Sequence, residues 1–203
     1  MKNRNFETEL PSGYKEALHI DAKDAKTGII MNLVSLLILG IVMAIAYLPI
    51  KLNNVDLFAG FIDENPAKPM IVMSVFCFTM LAYVVMHELV HGIAYKCLTG
   101  EKLTFGISWS CAFCGVPHIY SYRKTAIISS AAPLVLFSLI FGVVTVALYF
   151  VSPIYYLLSA VIFGLHLGGC SGDMYIILML LKYNDPKVLM RDTGPEQFIY
   201  IPD

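Results

Sequence analysis

Residues 70–98 read MIVMSVFCFTMLAYVVMHELVHGIAYKCL, an almost uninterrupted apolar run. A helix needs about 20 such residues to cross a bilayer. The Gly100 that follows is typical of a helix C-terminus. We therefore predict a transmembrane helix that is longer than the bilayer requires, so that it tilts or its last turns emerge.

The last turns of this run contain the motif His87-Glu88-Leu89-Val90-His91. Residues four apart share one face of a helix, so the two imidazoles can reach one metal ion with Glu88 beside them. Zinc hydrolases use this arrangement, with zinc activating a water and a carboxylate taking its proton. The motif predicts His87 and His91 as zinc ligands and Glu88 as the catalytic base.

The composition indicates a membrane protein. Of 203 residues, 58% are hydrophobic and 14% are charged, against about 25% charged residues in soluble domains. The net charge of −1 and the lack of a basic arm argue against nucleic-acid binding. The cysteines are odd in number and lack framework spacing, which predicts thiols; they are Cys77, Cys97, Cys111, Cys114 and Cys170.

The apolar runs predict an all-α membrane protein with four transmembrane helices, at about 29–50, 70–98, 125–151 and 154–181. The third contains a kinking Pro133, and glycines at 168–172 interrupt the fourth. The first run begins too late and is too long for a cleaved signal peptide. In the polar segment 1–28, the four-residue spacing of Phe6, Leu10, Tyr14 and Leu18 predicts a short amphipathic helix.

The lysines and arginines predict the orientation. With four spans, twelve of these residues fall on the side of the two termini, and only Lys51 and Lys68 fall on the other side. The positive-inside rule then places residues 1–28 and 182–203 in the cytoplasm, flanking a multi-pass cell-membrane domain at 29–181.

Between the second and third spans, apolar and small or polar residues alternate from Leu103 to Phe113, and turn residues follow at Cys114, Gly115 and Pro117. The alternation is typical of a strand. We predict that 103–122 is a β-hairpin or re-entrant segment. Two interpretations stay open: a structural loop packed on the spans, or an edge strand that pairs with an extended substrate.

Asp173 is the predicted third metal ligand. The second span starts at Met70 and the fourth at Ile154, and both run in the same direction. Counted from these starts, Asp173 falls between His87 and His91, so the three side chains reach one depth in two regular helices. A lone aspartate there costs about 2.5–3.5 kcal/mol, so it needs a partner such as a dication; the alternative is an interhelical hydrogen bond.

Other polar residues favour structural roles. His166 lies about 10 Å from Asp173 along the helix, which favours an interhelical hydrogen bond. Cys111, Cys114 and His118 supply only three ligands where a closed zinc site needs four. Tyr83 and Tyr95 are expected to pack between helices or near the interface.

The His-Glu-x-x-His-Gly motif, the Cys-x-x-Cys-x-x-Pro stretch at 111–117, Ala131-Ala132-Pro133, Ser171-Gly172-Asp173 and Asp192-Thr-Gly-Pro together resemble a bacterial family of membrane-embedded zincin peptidases. The motif order is more distantly similar to the site-2 protease type of intramembrane metalloprotease. The resemblance implies Zn²⁺ held by His87, His91 and Asp173, with Glu88 as base. Here a glycine precedes the aspartate, whereas site-2 proteases usually carry one after it.

The sequence thus favours a zinc metallopeptidase that cleaves membrane-associated proteins or peptides. Two other functions stay open: a metal transporter, which would also place histidines and carboxylates at membrane depth, and a non-catalytic metal-binding protein that binds partner helices.

Overall fold

The computed structural model describes residues 5–57, 65–107 and 112–203. Of these described residues, 62% are helical. Its helices are α1 (Ala25–Leu52), α2 (Lys68–Thr99), α3 (Arg123–Tyr149), α4 (Pro153–Gly169) and α5 (Ser171–Lys182). Its strands are β1 (Phe6–Glu7), β2 (Tyr14–Asp21), β3 (Thr104–Ile107), β4 (Ala112–Gly115), β5 (Tyr120–Tyr122), β6 (Leu189–Asp192) and β7 (Glu196–Pro202). The prediction of an all-α fold is therefore wrong in part.

In the part of the chain that the structure describes, three helices are long and apolar enough to cross a membrane: α1, α2 and α3. Large apolar side chains such as Leu36, Phe78 and Leu139 are highly exposed on them, which is typical of surfaces that meet lipid. The predicted fourth span is divided at Cys170 into α4 and α5, which are bent by 41°. It counts as a span only if the bent pair is taken as one, and the bend lies in the glycine-rich stretch that interrupts the apolar pattern.

The largest departure from the predicted fold is an antiparallel sheet of five strands in the order β1-β5-β6-β7-β2. Strand β2 pairs with β7 from Tyr14↔Pro202 to Asp21↔Glu196. The amphipathic helix predicted in residues 1–28 is therefore wrong. A four-residue spacing is also a multiple of the strand period of two, so it fits a strand as well as a helix. The strand that pairs with β2 lies near the other end of the chain.

The hairpin predicted between the second and third spans is present. Strands β3 and β4 pair antiparallel with Phe105 opposite Cys114 and Gly106 opposite Phe113. The alternation does not form one strand from Leu103 to Phe113, since β3 ends at Ile107 and β4 begins at Ala112. Residues 108–111, including Cys111, lie outside the described residues.

The chain divides into two compact units. The first comprises Met1–Met31, Val85–Leu134 and Ser171–Asp203, and the second comprises Asn32–Val84 and Val135–Cys170. The first unit contains the sheets and a buried apolar core, formed by Tyr95, Val116, Ile119, Ala126, Ile176, Leu180, Val188, Met190 and Ile199.

In the second unit, α4 packs closely on α1. A Cβ at Gly168 would lie 2.8 Å from the Ser35 carbonyl oxygen, and one at Gly164 would lie 2.7 Å from Leu39. The Ser35 hydroxyl donates to the Gly168 carbonyl over 2.7 Å. Glycines four residues apart thus let the two helix backbones approach each other.

Candidate metal centre

The structure brings His87, His91 and Asp173 together within the first unit. The two histidines lie on one face of α2, with 3.2 Å between their Nε2 atoms. Asp173 lies in the first turn of α5. Its Oδ2 is 3.4 Å from His87 Nε2, and its Oδ1 is 3.3 Å from His91 Nε2.

These distances fit a zinc ion. Ligand atoms about 2.0–2.2 Å from a tetrahedral zinc lie about 3.3–3.6 Å from one another. Here the two histidine Nε2 atoms are 3.2 Å apart, and each lies 3.3 or 3.4 Å from a different oxygen of the Asp173 carboxylate. All three side chains are at most 16% exposed. Two imidazole nitrogens and one carboxylate oxygen are also donors that zinc accepts, so this cluster could hold the ion.

A backbone carbonyl fixes the orientation of the His91 ring. His91 Nδ1 lies 2.8 Å from the carbonyl oxygen of Ser129 on α3. A carbonyl can only accept, so Nδ1 carries a proton. In the neutral ring, which is the form that binds a metal, Nε2 then presents its lone pair to the cluster. Metal-bound histidines usually have such an outer-shell acceptor.

Glu88 lies next to the cluster on α2 and faces the hairpin. Its carboxylate is half-buried, interacts with the Cys114 backbone amide and feels the charges of the cluster. Among the described residues, Glu88 is also the one charged residue that lines a pocket of about 380 Å³. The other lining residues are Val85, Leu89, Phe105, Gly106, Ile107, Ala112 and Phe113. A carboxylate in this position can exchange a proton with a water or substrate in the pocket.

Gly92, directly after His91, allows the hairpin to pack on the metal-binding face of α2. A Cβ at Gly92 would lie 2.8 Å from the Phe105 ring, 3.1 Å from Leu103 and 3.2 Å from the Cys114 sulfur. Burial raises the pKa of the Cys114 thiol to about 12, with the charges of Asp192 and Glu88 adding to the effect. Cys114 is therefore a neutral packing residue at neutral pH.

Sequence reasoning missed Asp192. This strand residue is buried and accepts hydrogen bonds from the Tyr95 hydroxyl over 2.8 Å and from the Gly194 amide over 2.9 Å. Burial raises its pKa to about 6, against the lowering effect of these hydrogen bonds. Two signals were available: Tyr95 lies one helical turn after His91, and Asp192 begins the Asp-Thr-Gly-Pro motif.

Other sequence candidates lie in different environments. In the second unit, His166 is fully buried and accepts or donates hydrogen bonds with the Tyr83 hydroxyl at 2.8 Å and the Ser138 hydroxyl at 3.1 Å. This confirms the predicted interhelical hydrogen bond. Cys114 and His118 join no group of three potential ligands in the described part of the chain.

Comparison with known proteins gives one family. A family model described as putative zincin peptidase matches residues 80–187, more than half of the chain. Zinc is the cofactor that this family implies. No curated protein and no solved structure matches the chain.

Proposed function

The chain belongs to the zincin peptidase family that matches its residues 80–187, and from this membership we propose that it is a membrane-embedded zinc metallopeptidase acting on membrane-associated proteins or peptides. The observation that carries the proposal is the convergence of two histidine nitrogens, 3.2 Å apart, on the Asp173 carboxylate, whose two oxygens lie 3.4 Å from His87 Nε2 and 3.3 Å from His91 Nε2. In this proposal His87, His91 and Asp173 hold the zinc ion, and Glu88 is the catalytic base.

Zinc, when bound, supplies a Lewis acid that polarises a carbonyl and lowers the pKa of water to about 7. The protein supplies the proton transfers. Glu88 takes the proton of the attacking water and delivers it to the amine that leaves when the peptide bond breaks. Its place on the pocket wall beside the cluster supports both steps.

The proposed membrane setting rests on the exposed apolar faces of α1, α2 and α3. The two histidines lie in the second half of α2, which places them towards the cytoplasmic side if the termini are cytoplasmic as the lysine and arginine distribution predicts. The motif order is also distantly similar to that of the site-2 protease type, in which a His-Glu-x-x-His helix is followed by an aspartate on a later helix.

Strand β3 of the hairpin offers a possible pairing edge for an extended substrate. Among the described residues, strand β3 pairs only with β4, and Phe105, Gly106 and Ile107 of β3 line the pocket beside Glu88. We propose that an extended substrate segment pairs with β3, because a helical segment must be unwound before its peptide bonds become accessible. The other interpretation, a hairpin that only packs on α2, predicts that β3 can change without affecting cleavage.

The Glu88→Gln variant tests the proposal. The amide keeps the size of the side chain but cannot take the proton, so we expect zinc content equal to wild type and no cleavage. Zinc is measured on the purified proteins, and cleavage is measured by comparing membrane-protein fragments in cells that express wild type, Glu88→Gln or neither. Equal fragment patterns for wild type and the variant would refute the assignment of Glu88.

A further inference from the structure

The carbonyl that orients His91 belongs to a residue four positions before a proline. Ser129 and Pro133 both lie inside α3, which runs unbroken from Arg123 to Tyr149. In an α-helix the amide of residue 133 would donate to the carbonyl of residue 129. Proline has no amide hydrogen, so Pro133 removes the intrahelical donor for the Ser129 carbonyl.

That carbonyl is the one that His91 uses. The Ser129 oxygen lies 2.8 Å from His91 Nδ1, and Ser129, His91 and Pro133 are all buried. A buried carbonyl without a donor is costly, and so is a buried imidazole N–H without an acceptor. One hydrogen bond between α2 and α3 satisfies both groups.

We propose that Pro133 is a positioning residue for the metal centre, which leaves the Ser129 carbonyl available to hold His91 in the tautomer and orientation that present Nε2 to the metal. The inference rests on the proposed function, because it takes His91 as a zinc ligand. It extends that function to a residue on another helix that does not touch the metal. It also gives the proline of the Ala131-Ala132-Pro133 motif a chemical role besides bending a helix.

The test replaces Pro133 with residues that differ in the backbone amide. Pro133→Ala restores an amide hydrogen, which competes with His91 for the Ser129 carbonyl. Replacing Pro133 with lactic acid, which has the alanine side chain but an ester oxygen in place of the N–H, leaves the carbonyl available. Pro49→Ala is the matched control, because Pro49 also lies inside an apolar helix, α1.

The readout is zinc affinity of the full-length protein in detergent, measured by competition with a chromophoric chelator. Loss of an outer-shell partner weakens metal binding about 10- to 100-fold, and we expect about a tenfold loss in Pro133→Ala. The lactic acid variant and Pro49→Ala should stay within about twofold of wild type. A second readout is the proton NMR signal of the His91 Nδ1–H in the zinc-loaded protein, whose hydrogen-bonded chemical shift should move only in Pro133→Ala.

Three results would overturn the proposal. One is wild-type zinc affinity in Pro133→Ala. Another is equal loss in the alanine and lactic acid variants, which would show that the proline ring matters and the missing amide does not. The third applies if Pro133→Ala does not fold, in which case the zinc affinity of the lactic acid variant alone tests the proposal. Weakened zinc binding in that variant would overturn it. Failure of the wild-type protein to bind zinc would instead refute the proposed metal centre, and this inference with it.

Discussion

The Tyr95 hydroxyl donates a hydrogen bond to the buried carboxylate of Asp192, with 2.8 Å between the two oxygens. Tyr95 is 1% exposed and lies one helical turn after His91. Asp192 ends β6, and its own carbonyl accepts from the Val116 amide just after β4. This residue therefore connects the metal-binding helix and the hairpin with the C-terminal strands.

The raised pKa of Asp192 predicts a pH-dependent stability. The folded protein holds the proton up to a pKa of about 6, against an ordinary value of 3.8. Because the folded state binds the proton more tightly, the free energy of unfolding should fall as the pH rises from about 4 to 6 and then level off, by at most about 3 kcal/mol.

Chemical unfolding of the zinc-free protein between pH 4 and 7 measures this dependence. The free energy of unfolding of Asp192→Asn should fall less over that pH range, because the amide has no proton to lose. Glu9→Gln, at an exposed position, is the control, and its free energy of unfolding should follow that of wild type. An identical slope in wild type and Asp192→Asn would contradict the assignment.

A side chain at position 194 should disturb the packing of Phe113, which lines the pocket. Its φ of +99° favours glycine, and an added Cβ would overlap the Phe113 ring. Gly194→Ala should destabilise the protein by about 1–3 kcal/mol more than Gly13→Ala. Gly13 is the matched control, because its φ is +79° and nothing lies within 4 Å of an added Cβ. Thermal or chemical unfolding compares the two, and equal destabilisation would show that Phe113 is not displaced.

Asp173→Asn should weaken zinc binding. Loss of an outer-shell partner typically weakens it about 10- to 100-fold, and loss of this proposed ligand should weaken it more. The amide is similar in size but lacks the negative charge that faces both histidines. Metal analysis after dialysis against a weak chelator measures the effect, with Glu88→Gln as the variant that should retain zinc. Full zinc occupancy in Asp173→Asn would remove Asp173 from the ligand set.

Cys114 should react slowly with alkylating reagents. Its thiol is buried and its pKa is raised to about 12, so almost none of the reactive thiolate forms at pH 8. Cys97 is exposed near the end of α2 and serves as the internal reference. Mass spectrometry of iodoacetamide-treated protein should find Cys97 labelled well before Cys114, and equal rates would contradict the burial of Cys114.

Local patterns predicted much of the fold and the candidate site. The apolar runs predicted α1, α2 and α3, because a helix satisfies its backbone hydrogen bonds within one segment. The glycines at 168–172 marked the place where the chain bends at Cys170. The alternation at 103–113 predicted strand structure, but the pattern alone could not show that Thr104–Ile107 and Ala112–Gly115 pair with each other as two strands.

Local sequence patterns could not predict which segments far apart in the chain contact each other. The local pattern of the β2 segment was interpreted as a helix. Its strand conformation depends on hydrogen bonds with β7, which lies near the opposite end of the chain. The same holds for the Tyr95–Asp192 pair and for the Ser129 carbonyl at His91. Depth along a helix predicted that Asp173 would lie level with the histidines, but depth says nothing about the direction in which a side chain points.

By itself, the sequence determined that His87 and His91 share a face with Glu88 beside them, because four residues make about one helical turn whatever surrounds the helix. The tertiary structure alone decided that the Asp173 carboxylate meets both imidazoles, that Ser129 orients His91 and that the chain ends join in one sheet. These contacts depend on how separate helices and strands pack, and no spacing within one segment specifies that packing.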